Sequence, residues 1–452
     1  MENDSLFAEM KPAKALARMA LPTVASQIVI LIYNLADTWF IGRTNDPNMI
    51  GASSLALTVY LAAVALSNVF GVGGGALMVR LIGEKKTDEA HKVASYTLTS
   101  CTVAALVFSL LVLIFTDPLL TLLGADENTI GYGRQYLMTT TVIGGIPTIL
   151  SMCMPQLLRN AGYSRSAGIG VALGSIANIL LDPLFMFVLL PRGNEVLGAG
   201  IATALSNFLS LAYFIIMFLR VRDKSVLCIP KKFEKIEKDH LRSFYTVGIP
   251  AAIAVFLFDL VTIFLNKLVV DYGNVHLAAM GIVLKLERLS TNIGLGVCLG
   301  MVPLVSYNFG SGDYKRMNRF SSLTRIVIIV FTSLCAVLYF LFADSIVGVF
   351  IDDAETVRLG AQFLRGRCFS MPLMMVGYHA VNYMNAIDKG KVSFLLAVIR
   401  HIVLIIPVMM IMNAVWSLDG LVWSQVAADA LNAIVAFVIW RKVNTRVCKA
   451  PK

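Results

Sequence analysis

Apolar residues in this chain run in long blocks separated by short polar segments. Twelve blocks are long enough to cross a hydrocarbon core as helices. They fall at roughly 16–41, 51–79, 93–116, 134–156, 168–190, 197–219, 246–270, 277–305, 322–343, 365–386, 392–413 and 419–440. The short alternating segments of a membrane barrel are absent. The pattern therefore predicts an all-α polytopic membrane protein of twelve transmembrane helices.

The longest polar stretch, about 220–242, falls at the midpoint and divides six blocks from six. It predicts an N-terminal bundle over 1–222, a cytoplasmic linker loop over 223–243 and a C-terminal bundle over 244–452. The halves answer each other. Leu21-Pro22 matches Ile249-Pro250, and Ile82-Gly83-Glu84-Lys85-Lys86 matches Phe309-Gly310-Ser311-Gly312-Asp313. Pro147 with Asn160-Ala161 matches Pro372 with Asn385-Ala386 at nearly the same offset. Six spans per half give both halves one orientation, so a pseudo-twofold axis along the membrane normal is expected.

Composition agrees: 57% of the 452 residues are hydrophobic, 15% are charged, and mean hydropathy is +0.75. The net charge of +10 raises nucleic acid or anionic lipid as partners. Its distribution points elsewhere. With the N-terminus inside, the cytoplasmic segments carry most of the bases, among them Lys11, Lys14, Arg18, Arg80, Lys85, Lys86, Lys92 and those between Arg220 and Arg242. The opposite loops hold few, including Arg43, Arg134, Arg192, Lys267 and Arg358. This asymmetry sets orientation, places both termini in the cytoplasm and leaves no role for nucleic acid.

The seven cysteines are scattered without CxxC spacing, and read as small buried hydrophobes, not a disulfide or zinc framework. The charged start suggests no cleavable signal peptide, leaving the first helix as the membrane signal. HExxH, GxSxG and histidine–cysteine clusters are missing, so no enzyme reading can be assembled. A receptor or scaffold would differ from a transporter in showing no ligand-coupled flux.

The candidate chemistry centres on Asn178-Ile-Leu-Leu-Asp182-Pro183, inside the fifth block. Asn178 and Asp182 share one helix face a turn apart. A carboxylate at that depth costs roughly 2.5–3.5 kcal/mol, so it is a functional candidate by default. Pro183 removes a backbone donor and loosens the helix beside it. The bland alternative is a polar pair gluing two helices. Asp37, with Tyr33 and Asn34 on its face, and Thr203 complete a set offering only oxygen ligands. Such a set suits a hard monovalent cation or a proton. Two carboxylates in one low-dielectric pocket resist carrying two charges at once, so either can load and unload a proton.

In the C-terminal half, Asp259 and Glu287 are candidates for a second cation or substrate site. Lys285, Glu287 and Arg288 lie within one turn, and a mutually neutralised cluster lining water is the favoured reading of those three. Arg400-His401 and Asp429 are ambiguous; His379 reads as a satisfied polar residue. The many methionines suit a promiscuous cavity but equally suit ordinary membrane helices. Tyr33, Asn34, Tyr136 and Met152 are candidate cavity residues. Glycines at Gly71–Gly75, Gly170, Gly174, Gly294, Gly296 and Gly300 read as close helix packing, and no strand or Lys-Ser/Thr makes the first group a phosphate loop.

Leu21-Pro22 with Asp37, Gln156 through Gly162, Asn178 through Pro183, and Leu197-Gly198-Ala199-Gly200 leading to Thr203 resemble the multidrug and toxic compound extrusion (MATE) family of antiporters, and the resemblance covers nearly the whole chain. It implies export of amphipathic, often cationic, drugs or dyes in exchange for Na⁺ or H⁺, with no other cofactor. The setting it implies is a plasma membrane, bacterial, with the chain acting as a monomer among membrane lipid. One branch of the family couples through acids of the first and fifth helices with an Asn and a Thr, which match Asp37, Asp182, Asn178 and Thr203. Another branch relies on an acid of the seventh helix, which Asp259 resembles. Met384-Asn385-Ala386-Ile387 lacks the Arg and Gly of Arg159-Asn160-Ala161-Gly162, so the second half departs further from the pattern. The superfamily's lipid and lipid-linked oligosaccharide flippases supply the alternative function.

Overall fold

The computed structural model describes residues 4–44, 46–230 and 234–449. Among these residues every regular element is helical. Nine helices are long and apolar enough to cross a membrane, and a bent pair makes a tenth. The run Gly390–Lys449 counts once there, but Ser417, at φ 51° and ψ −131°, breaks it in two. Ala354–Arg367 with Ser370–Ala386 supply the remaining span, whose Arg365 and Arg367 mask its apolar length. Each of the twelve expected spans therefore has its helix.

We number them α1 (Pro12–Gly42), α2 (Pro47–Gly83), α3 (Thr87–Leu122), α4 (Ile130–Ile143 and Gly145–Asn160, bent by 54°), α5 (Ser164–Leu189) and α6 (Glu195–Val221). The second six are α7 (Lys238–Val270), α8 (Asn274–Ser311), α9 (Tyr314–Leu341), α10 (Ala354–Arg367 and Ser370–Ala386), α11 (390–416) and α12 (418–449). Exposed aliphatic stripes, such as Ile326, Val330, Leu334, Val337 and Leu341 on α9, follow the helix period. They form the lipid-facing surface such a protein needs.

The chain divides into two compact units, and the border differs from the one the sequence suggested. The first unit holds Met1–Met10 and Leu21–Ala252; the second holds Lys11–Ala20 and Ile253–Lys452. Of the expected linker loop over 223–243, residues 231–233 lie outside the described residues. Val226 and Leu227 are buried and belong to the first unit. The border falls inside α7, whose first turns are held by α2 and α3. A methyl on Gly73 would meet the Phe244 carbonyl, and one on Gly248 would meet the Val69 carbonyl, so two backbones touch there. Only glycine permits that approach. Arg80 donates to the Ser243 hydroxyl at 3.0 Å, and the Tyr96 and Tyr245 hydroxyls lie 3.1 Å apart. In the second unit the start of α1 repeats the arrangement, with Gly300 against the backbone of Ala20.

Candidate functional site: a carboxylate pocket in the first unit

α5 is α-helical over Ser164–Pro183 and then widens into π-helical turns over Leu184–Leu189. The change starts where Pro183 supplies no N–H, which leaves the Ile179 carbonyl without its helical partner. Asp182 sits at this junction, fully buried, and Asn178 and Thr203 beside it are 2% exposed. Glycines bring α6 close enough to deliver Thr203. Gly198 lies on the backbone of Phe185 and Met186, and Gly200 lies on the Thr139 side chain. Gly170 and Gly174 perform the expected close packing on α6: the Ser210 hydroxyl donates to the Gly170 carbonyl at 3.0 Å.

The Asn178 amide satisfies its neighbours with its nitrogen toward Asp182. It donates to Asp182 Oδ2 at 2.8 Å, and its oxygen accepts from Thr203 Oγ1 at 3.3 Å. Asp37 on α1 is half-buried and interacts electrostatically with Asp182. Its Oδ1 is buried and has no hydrogen-bond partner. Three tyrosines close around the two acids. Tyr33 was expected on the face of Asp37 and Tyr136 only as a cavity residue; Tyr60 on α2 was not singled out, and it lies close enough to sense the Asp37 charge. The sequence offers no signal for Tyr60 beyond a tyrosine in mid-span. Tyr136 also packs with Phe40 against Ile41, Met186 and Ala199. Asn34 is exposed, and on α4 the Met152 carbonyl accepts from Gln156 Nε2 at 3.3 Å.

Neither Asp37 nor Asp182 forms an ion pair among the described residues. The second unit treats its buried acids otherwise. Glu287 accepts two hydrogen bonds from Arg367, Nε to Oε1 at 2.8 Å and Nη2 to Oε2 at 3.0 Å. Asp429 accepts from Arg400 at 3.0 Å and from Gln425 at 2.6 Å. A guanidinium on both oxygens of Glu287 already neutralises that carboxylate, so the structure disfavours Glu287 as a cation ligand. It also overturns the neutralised cluster. Glu287 turns inward to Arg367, while Lys285 and Arg288 point outward and are exposed. Asp259 is half-buried within reach of the Arg288 charge. His379 is satisfied by the Ser321 hydroxyl and carbonyl, both at 3.0 Å.

The family model described as MatE matches residues 22–184 and again 250–411, starting each time at the proline that marks the repeat. The chain belongs to the MATE family. The multidrug export protein MepA of Staphylococcus saprophyticus is 29% identical over 441 residues, covering 97% of this chain and 96% of its own. MepA of Staphylococcus aureus is 30% identical over the same length and coverage. Among solved structures, an outward-facing MATE transporter of the MOP superfamily aligns with a TM-score of 0.93 at 21% identity, over 100% of this chain and 99% of that one. A MATE protein in the straight conformation aligns at 0.92 and 22%, over all of both chains. These likenesses show the fold. The two-site match also shows that the internal repeat spans both halves of this MATE protein.

Proposed function

We propose that this MATE protein exports amphipathic, often cationic, compounds from a bacterial cell by alternating access, in exchange for Na⁺ or H⁺. The relatives named as multidrug export proteins support the substrate class. The observation that carries the coupling site is the contrast among the buried acids: Glu287 and Asp429 each hold an arginine, whereas Asp182 holds none and has the Asp37 charge beside it. Both termini face the cytoplasm in this reading, because the basic loops lie on that side.

Asp182, Asn178 and Thr203 bind the coupling ion, with Asp37 as the second charge. The Asn178 nitrogen satisfies Asp182 in this structure. A bound Na⁺ needs oxygen ligands, so it turns the amide to present its oxygen. A proton on Asp182 has the same effect, because the carboxyl then donates and favours the amide oxygen as acceptor. Loading thus rearranges the α5–α6 contact and favours one arrangement of the first unit. Release toward the cytoplasm restores the other. One charge falling through ~100 mV supplies about 2.3 kcal/mol, enough to sustain a substrate gradient of roughly fifty-fold.

The test is efflux of a fluorescent cationic dye from proteoliposomes, under a Na⁺ gradient or a pH gradient imposed separately. Efflux driven by one gradient and lost in Asp182→Asn is expected. Efflux that persists in Asp182→Asn removes that residue from coupling. Dye that moves under neither gradient sinks the drug-export reading and directs attention to lipid translocation.

A further inference from the structure

α8 carries an unexplained feature in the middle of its span. Lys285 and Arg288 sit three residues apart on one face, and both are exposed. At 1.5 Å per residue from Asn274 they lie about 16 and 21 Å along this 38-residue helix, inside the apolar stretch read as its span. A lipid-facing stripe in this protein is apolar, as Ile253, Phe256, Leu260 and Ile263 show on α7. The α8 stripe instead reads Ala278, Gly281, Lys285, Arg288 and Asn292, each exposed or half-buried. Charged side chains at that depth face a water-filled space, not hydrocarbon.

The nearby acids do not neutralise the pair. Glu287 is committed to Arg367, and neither Lys285 nor Arg288 forms an ion pair among the described residues. Arg288 lies over the Phe258 ring, 5.4 Å from its centroid, and its side-chain donors have no hydrogen-bond partner among the described residues. Asp259 offsets one of the two charges at most. A cavity that recognised cations alone would gain nothing from a net positive wall, since like charge repels the cargo.

We infer that Lys285 and Arg288 form a subsite for the anionic group of an amphiphile, with Arg288 supplying the paired donors that a carboxylate or phosphate oxygen accepts. The aromatic ring of Phe258 and the neighbouring apolar wall take the body of the molecule. This rests on the transport reading above and extends its substrates to zwitterions that carry a carboxylate beside their positive charge. An anionic lipid headgroup offers the same chemistry.

The decisive probes are a zwitterionic rhodamine with a free carboxylate and its cationic methyl ester, which differ only at that group. Binding of each to the purified full chain is followed by fluorescence anisotropy, and efflux of each from proteoliposomes under the driving gradient. In Lys285→Gln with Arg288→Gln, the free acid should bind at least tenfold more weakly relative to the ester. In Arg288→Glu the preference should invert toward the ester, and that variant keeps a polar side chain at an exposed position. Size-exclusion profiles and melting temperatures report whether each variant is folded. A third arm follows translocation of fluorescent phosphatidylglycerol. Loss of its movement in the variants identifies the lipid headgroup as the source of the anion. The inference is overturned if the variants change acid and ester affinity by the same factor and leave the labelled lipid unaffected. If the wild type binds the acid preferentially yet moves neither dye, the subsite stands and the efflux reading falls.

Discussion

A buried carboxylate without a counter-ion and a buried carboxylate with one respond oppositely to mutation. Arg367→Ala strands Glu287 as an unpaired charge in a buried site, which costs about 3–5 kcal/mol. A marked fall in melting temperature in detergent is expected, with most of it recovered when Glu287→Gln is added. Asp182 strands nothing when neutralised, because it has no basic partner. Asp182→Asn is therefore expected to melt at or above the wild-type temperature while losing coupled efflux; a destabilised Asp182→Asn would mark a structural pair, not an ion site. Thr203→Val removes one of the oxygens beside Asn178 and should weaken the coupling ion by about tenfold, read as the ion concentration for half-maximal efflux.

Between residues and the molecule stand the helix junctions. Gly73 and Gly248 meet at one crossing, where an added methyl runs into backbone and not into a movable side chain. Each glycine-to-alanine change is expected to cost about 1–3 kcal/mol by overpacking. The double variant should cost less than the sum, since the first methyl already parts the helices. Equal, additive losses would mean the two sites do not share a contact. Pro183 acts differently. Pro183→Ala restores a backbone donor and should let α-helical bonding continue through Leu184–Leu189, shifting Phe185 and Met186 off Gly198. Stability should hold while ion-coupled efflux falls, and the altered span should show in the hydrogen-exchange protection of that segment.

Across the whole molecule, orientation is the property that transport depends on. A cysteine introduced at Ser225 on a cysteine-free background should react with an impermeant maleimide only from the cytoplasmic side. One introduced at Asn274, after the α7–α8 turn, should react only from outside. The reverse pattern would invert the direction of export. The division inside α7 adds a mechanical consequence. A helix whose first turns belong to one unit and whose remainder belongs to the other must bend or slide if either unit rearranges.

Much of this was legible in the chain, for reasons that differ by feature. Hydrocarbon demands about twenty apolar residues per span and lipid headgroups sort the bases, so the spans and the basic loops could be read directly. The repeat was visible because its prolines and turn residues recur at a steady offset. Asn178, Asp182 and Thr203 could be proposed because an acid inside hydrocarbon is rarely idle. What only the tertiary structure decided is which way each side chain turns and what waits there. Lys285, Glu287 and Arg288 are neighbours in sequence, but each step along a helix rotates by about 100°, so Glu287 faces the core while the two bases are exposed. Its partner Arg367 comes from a different span, and nothing in the local pattern encodes that meeting. Tyr60 joined the acid pocket, and the unit border moved into α7, for the same reason: hydrophobic length fixes where a helix crosses, while its rotation and its neighbours are set by packing between helices.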